Sequence, residues 1–212
     1  LFFVACKKQE QDIVSSTKSV DYSGLKVGNI SFYNVRYILH DAQVDRHDTI
    51  DFKMKSLIED TFRDEIGNLI YKIHRFRWND TIASWVNLKV FSAFIKNQYY
   101  IENEDNVLKK KLYIPYINNF AWNSDSYNVN DTMYFRYGNF YPYIEIKDSV
   151  IHVKQQLYQT YVDLKRKNEF FAKNKGLVIR YYKDLKIKKG DTTKVDKGEE
   201  WFFYMYEFKL AK

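Results

Sequence analysis

Ile50-Asp51-Phe52-Lys53-Met54-Lys55-Ser56-Leu57-Ile58-Glu59 is the stretch that decides the fold. Ile50, Phe52, Met54 and Ile58 share one parity, and Asp51, Lys53, Lys55 and Glu59 share the other. A period of two puts one set on a buried face and the other in water, which describes a strand in a sheet with one wet side. A helix would have gathered its apolar residues three and four apart.

The same alternation recurs on both sides of this segment. Tyr33, Val35, Tyr37 and Leu39 carry it upstream, and Val86, Leu88, Val90 and Phe94 carry it downstream. Leu108, Lys110, Leu112 and Ile114 follow, then residues 151–157, 177–182 and the aromatic run 201–208. Between these runs stand turn residues: Asp64 to Asn68 with Gly67, Asn79-Asp80, the polar tip Glu102 to Asn106, Gly138-Asn139, Gly190-Asp191 and Lys197-Gly198. Regularly spaced strands and turns predict successive antiparallel hairpins. Leu177-Val178-Ile179 and Phe202-Phe203-Tyr204 are apolar on both parities, so part of the sheet must be covered twice. The expected fold is therefore all-β and mainly antiparallel, a strongly curved sheet or partly closed barrel. Helix is expected only in short pieces, around Tyr116 to Phe120 after Pro115 and near Leu164 to Lys167.

Composition agrees with that class. The 212 residues include 19 Tyr and 16 Phe against 7 Gly and 2 Pro, a balance that favours strands over disorder. Residues 21–212 suffice for a single β domain, and no apolar run beyond the first residues approaches the length of a membrane helix.

The N-terminus reads differently. Leu1-Phe2-Phe3-Val4-Ala5 followed by Cys6 has the pattern of a residual lipoprotein signal segment, with Cys6 as the lipid-attachment residue. Residues 7–20 are almost free of apolar side chains, as a flexible tether would be, so residues 6–20 are read as anchor plus tether. Cys6 is the only cysteine, which excludes an internal disulfide. The expected address is the cell envelope, at the outer membrane, with the membrane itself as first partner.

A net charge of +7 raises nucleic-acid binding, but the basic residues do not form a stripe. Lys109-Lys110-Lys111 and residues 186–189 lie within alternating strands with acidic neighbours, the expectation for a solvated basic face. No nucleic-acid partner is expected.

His40-Asp41 and Asp45-Arg46-His47-Asp48 hold two imidazoles and three carboxylates in one polar connection, but a mobile loop suits solvated charges better than metal ligands, so no metal is expected there. His74 and His152 sit in strands without a nucleophile nearby, no Gly-x-Ser-x-Gly is present, and the acidic pairs bracket turns. No catalytic residue and no cofactor is expected, and a hydrolase is the least favoured class. Candidate ligand contacts are the aromatic loop residues Tyr137, Phe140, Tyr141 and Tyr143, with an apolar, peptide or glycan ligand.

Tyr22-Ser23-Gly24-Leu25-Lys26-Val27-Gly28-Asn29, Asp64-Glu65-Ile66-Gly67-Asn68, Trp122-Asn123 and Phe171-Ala172-Lys173-Asn174-Lys175-Gly176-Leu177 resemble, in order, the short motifs of a family of uncharacterised predicted lipoproteins from Bacteroidetes. The resemblance includes a Leu-x-x-Gly-Asn opening and an Ala-Lys-x-x-Gly-Leu hairpin, and departs from the family where Ile30-Ser31 follows Gly28-Asn29. It implies a lipid-anchored β protein and no activity. The expected role is a ligand-binding module, with a protein-interaction or scaffolding subunit of unknown partner as the alternative.

Overall fold

The structure is a computed structural model, and it describes residues 21–128, 133–138, 141–143, 148–189, 191 and 194–211. Thirteen strands follow one another: β1 Ile30–Asp41, β2 Arg46–Arg63, β3 Leu69–Asn79, β4 Ser84–Lys96, β5 Tyr99–Glu104, β6 Val107–Tyr113, β7 Ala121–Asn123, β8 Tyr134–Tyr137, β9 Tyr141–Tyr143, β10 Asp148–Gln159, β11 Asp163–Ala172, β12 Gly176–Ile187 and β13 Val195–Lys209. They form one antiparallel sheet in the order β6-β5-β4-β3-β2-β1-β13-β12-β11-β10-β8-β7, with β9 added to β10. The first and last strands pair at its centre, with Val35 opposite Phe203, and two meanders run outward from there. The expected all-β class is what the chain adopts.

Curvature brings the two edges almost together. The Lys110 amide donates to the Ser124 carbonyl at 3.0 Å, and the Trp122 indole donates to the Lys110 carbonyl at 2.8 Å. Asn128 reaches the Leu108 carbonyl at 2.7 Å. The seam is thus stitched by single bonds and not by a ladder, giving a nearly closed barrel whose edge strands are shielded from other chains.

One end of this barrel is filled. Tyr22 and Leu25, from the segment preceding β1, pack into a core made by Ile58, Ile73, Phe91, Tyr100, Leu112, Trp122, Phe135, Tyr137, Ile151 and Phe171. The segment is tied down by the Asn174 amide on the Asp21 carbonyl and by the Ile58 amide on the Asn29 carbonyl. Its approach is so close that a Cβ on Gly24 would lie 2.6 Å from the Gly176 nitrogen. Only glycine tolerates that contact.

Several expectations are corrected. Among the described residues the only helix is the 3-10 turn Ala42–Val44: Leu164 to Lys167 belong to β11, and residues 116–120 hold a turn closed by Phe120 on the Ile117 carbonyl. Cross-strand pairing with Leu185 to Tyr182 won over any local helical preference at residues 164–167. Lys197-Gly198 is not a turn but part of β13, where Gly198 faces Leu185. The tip at Glu102 to Asn106 narrows to Asp105 and Asn106, whose φ of 54° and 61° make a two-residue hairpin turn. In β4 the expected phase is reversed: Phe91 and Ala93 are buried while Leu88 and Val90 are exposed. A bulge opposite Arg75 and Phe76 causes it, since one extra residue flips every side chain beyond it.

Among the described residues no helix is long and apolar enough to cross a membrane. Residues 1–20, with Cys6 and the expected tether, lie outside the described residues.

Candidate functional site: an ion-paired floor beneath an aromatic cleft

The inward parity of β11 and β12 runs from apolar to charged. Phe171 and Val178 are core, and two residues further along each strand stand Glu169 and Arg180, both buried. They face each other in register, with the Arg180 Nε donating to Glu169 Oε1 at 2.7 Å. Across the seam, Lys111 of β6 places its ammonium 2.6 Å from Glu169 Oε2. The Tyr182 hydroxyl donates to Oε1 at 2.8 Å, and the Gln155 amide donates to Oε2. Every lone-pair direction of this fully buried carboxylate is used, which is what makes its burial tolerable.

A second set completes the layer. Arg75 of β3 donates to Glu104 of β5 at 3.1 Å, Lys89 of β4 reaches Glu104 at 3.0 Å, and the Tyr100 hydroxyl donates to Glu102 at 2.7 Å. The Arg75 guanidinium also lies 4.5 Å from the Phe91 ring centre, while its buried Nε has no hydrogen-bond partner. Burial by itself would raise the Glu104 carboxyl, but Arg75, Arg180 and Lys89 outweigh it and bring it down to about 2. Glu169 is likewise held well below the usual carboxylate range: desolvation opposes ionisation, and the charges of Lys111 and Arg180 win. Burial pushes the Tyr100 and Tyr182 hydroxyls up, and the carboxylates Glu102 and Glu169 push them further. Glu104 and Glu169 are therefore ionised around neutral pH, and the Tyr100 and Tyr182 phenols are protonated.

Above this floor the barrel stays open. A cleft of about 630 Å³ has Tyr37, Ile50, Phe52, Trp201 and Phe203 on its walls and Arg75, Glu104, Arg180 and Tyr182 at its base. Tyr37 and Trp201 meet at a tilt of 37° with ring centres 4.3 Å apart. Arg77 leans over Phe52 at 4.3 Å and is exposed. A smaller cavity of about 270 Å³ between Glu102, Val107, Lys109, Lys111 and Tyr182 shares the same floor. Flat rings beside fixed charges suit a ligand with one apolar or ring face and one polar end.

Of the four aromatic residues expected to contact ligand, Tyr137 alone has a described side chain, and it does not line this cleft. Tyr137 is only 1% exposed and points into the core, where its hydroxyl accepts from the Tyr113 amide at 3.0 Å and donates to the Tyr113 carbonyl. Tyr141 and Tyr143 lie in β9, with the strand path alone described, and Phe140 is outside the described residues. Nor is the triple lysine a wholly solvated face: Lys111 is buried because β6 carries it inward at a bulge opposite Tyr100 and Ile101.

The histidines divide into two kinds. His74 and His152 are each hydrogen-bonded to an asparagine, Asn87 and Asn168, at 2.8 Å. His40 and His47 do come together. The expected mobile connection is in fact a pair of strands reaching to Asp41 and resuming at Arg46, with His40 directly opposite His47.

The layer Lys111, Glu169, Arg180, Arg75, Glu102 and Glu104 was missed in the sequence, although one signal was there. Val178-x-Arg180-x-Tyr182 and Glu169-x-Phe171 keep charged residues in phase with core residues. Which parity of a doubly apolar strand faces inward is decided by partners far along the chain.

No protein-family model matches the chain, and no curated protein matches it in sequence. In structure it is similar to a putative lipoprotein from Parabacteroides distasonis, at 10% identity and a TM-score of 0.45, over 90% of this chain and 99% of that one. Similarity at that level says nothing about ligand or activity.

Proposed function

We propose that this chain is a lipid-anchored cell-envelope protein of the outer membrane whose β domain is a ligand-binding module and not an enzyme. The observation that carries the reading is the cleft of about 630 Å³, lined by Tyr37, Phe52, Trp201 and Phe203 above a charged floor. Its size falls within the range of small-molecule sites, about 300–1,000 Å³. The ligand lays a ring or aliphatic face on Trp201 and turns a polar end to Arg75 and Arg180, which fits a glycan or an aromatic peptide side chain. The anchor rests on the Leu1 to Cys6 pattern.

The test is a titration of the protein with oligosaccharides, aromatic peptides and fatty acids, read by calorimetry. Saturable binding that Trp201→Ala weakens at least tenfold is expected. Absence of binding across the panel, or binding indifferent to Trp201→Ala, refutes the cleft as the site. Labelling of cells with a fatty acid beside a Cys6→Ser variant tests the anchor.

A scaffolding role is favoured by one other feature. The β10–β11 tip exposes Leu157, Tyr158, Tyr161 and Val162 together, Tyr161 to 85%. Clustered apolar exposure of this kind marks protein contacts. Loss of a co-purifying envelope partner in Leu157→Ser/Tyr161→Ser would support that role.

A further inference from the structure

At the outer end of β1 and β2, His40 and His47 are direct cross-strand partners with their Nδ1 atoms 3.1 Å apart. Two nitrogens bound to one first-row metal ion at about 2.0–2.1 Å are separated by about 2.9 Å at a right angle and about 3.3 Å at the tetrahedral angle. The observed spacing lies between these two. On the far side of His40, Nε2 lies 3.1 Å from Glu200 Oε1, and Glu200 Oε2 is fixed in turn by Lys183 at 2.6 Å. A carboxylate accepting from Nε2–H leaves the lone pair on Nδ1, facing His47, and this is the outer-shell arrangement that orients a ligating imidazole. Strand pairing holds both rings, and the rings meet edge to face at 5.3 Å. Water reaches the pair, because His47 is exposed while His40 and Glu200 keep only 14% and 15% side-chain exposure.

We propose that His40 and His47 chelate a first-row divalent ion that favours imidazole, of the zinc, nickel or copper kind, through their Nδ1 atoms, with Glu200 as a positioning residue. Among the described residues no third His, Cys, Asp or Glu completes a group of three, so the remaining positions belong to water or to a donor from outside the chain. Such a site is exchangeable rather than structural. It pins the β1–β2 hairpin at the open end of the barrel, one rim of the cleft, and does not depend on what the cleft binds.

The test uses the full chain with Cys6→Ser in every arm, titrated with copper(II) and zinc salts by calorimetry, with electron paramagnetic resonance on the copper form. One ion per chain with nitrogen hyperfine structure from two imidazoles is expected, lost in His47→Gln and in His40→Asn. Glu200→Gln is expected to lower affinity by about 10- to 100-fold while keeping the two-nitrogen signature. Histidine-selective NMR of the unsubstituted rings gives a readout free of folding effects: zinc should move His40 and His47 and leave His74 and His152 in place. Equal shifts at all four rings, or a copper signal unchanged in His47→Gln, overturns the proposal.

Discussion

The Lys111 ammonium of β6 meets the Glu169 carboxylate of β11 at 2.6 Å across the barrel seam, between strands that share no ladder. With Arg180 on the same carboxylate, the edge strand β6 is joined to the interior strands β11 and β12 through a buried charge cluster. Glu169→Gln removes the anion and leaves two cations without their counter-ion, so it should destabilise the domain by about 3–5 kcal/mol. Urea unfolding measures it. Adding Lys111→Met to that variant should recover part of the loss, because the uncompensated charge is then reduced.

Acid should undo the same layer. Glu104 is held at about 2, below the ordinary carboxylate value of about 4.3, and Glu169 is shifted in the same direction. A depressed carboxyl contributes stability that is fully present above its unfolded value and disappears as pH falls toward its folded one. Unfolding midpoints should therefore be flat from pH 7 to about 5 and drop steeply from about 4.5 to 2. Glu104→Gln should flatten that drop, and a drop of unchanged steepness would count against the ion-paired floor.

Tyr137 bonds both backbone groups of Tyr113 through one hydroxyl. Tyr137→Phe keeps the packed ring but strands an amide at the edge strand, a loss of about 1–3 kcal/mol. Thermal unfolding gives the sign, and faster amide exchange at Tyr113 gives the cause.

Gly198 occupies a strand with φ of 134°, and an added Cβ would stand 2.2 Å from the Asp184 carbonyl oxygen. Gly198→Ala should cost about 1–3 kcal/mol or more. A neutral result would mean that β12 and β13 separate freely there.

These effects show what the sequence carried and what it withheld. Alternation in Ile50 to Ile58 and Tyr33 to Leu39 announced the strands directly, because a half-buried sheet writes its own period into the chain. Bulges broke the inference in β4, where a single extra residue exposes Leu88 and Val90. Lys197-Gly198 reads as a turn because glycine is a common turn residue, whereas here close passage of β12 demands it. The charged floor stayed hidden for another reason: Lys111 and Glu169 are 58 residues apart, and nothing local to either announces the other. The His40–His47 pair was visible as composition but not as geometry, since only pairing with β2 turns a polar run into two facing rings.

Asp21 enters beside Asn174, and from that hairpin β12 climbs from Gly176 to Tyr182, about 20 Å, before reaching the aromatic walls. Residue 21 therefore enters at the stoppered base of the cup, and the lip lies at the far end of the domain. Under the proposed lipid anchor, the Trp201 wall is the part of the domain most remote from the point of attachment.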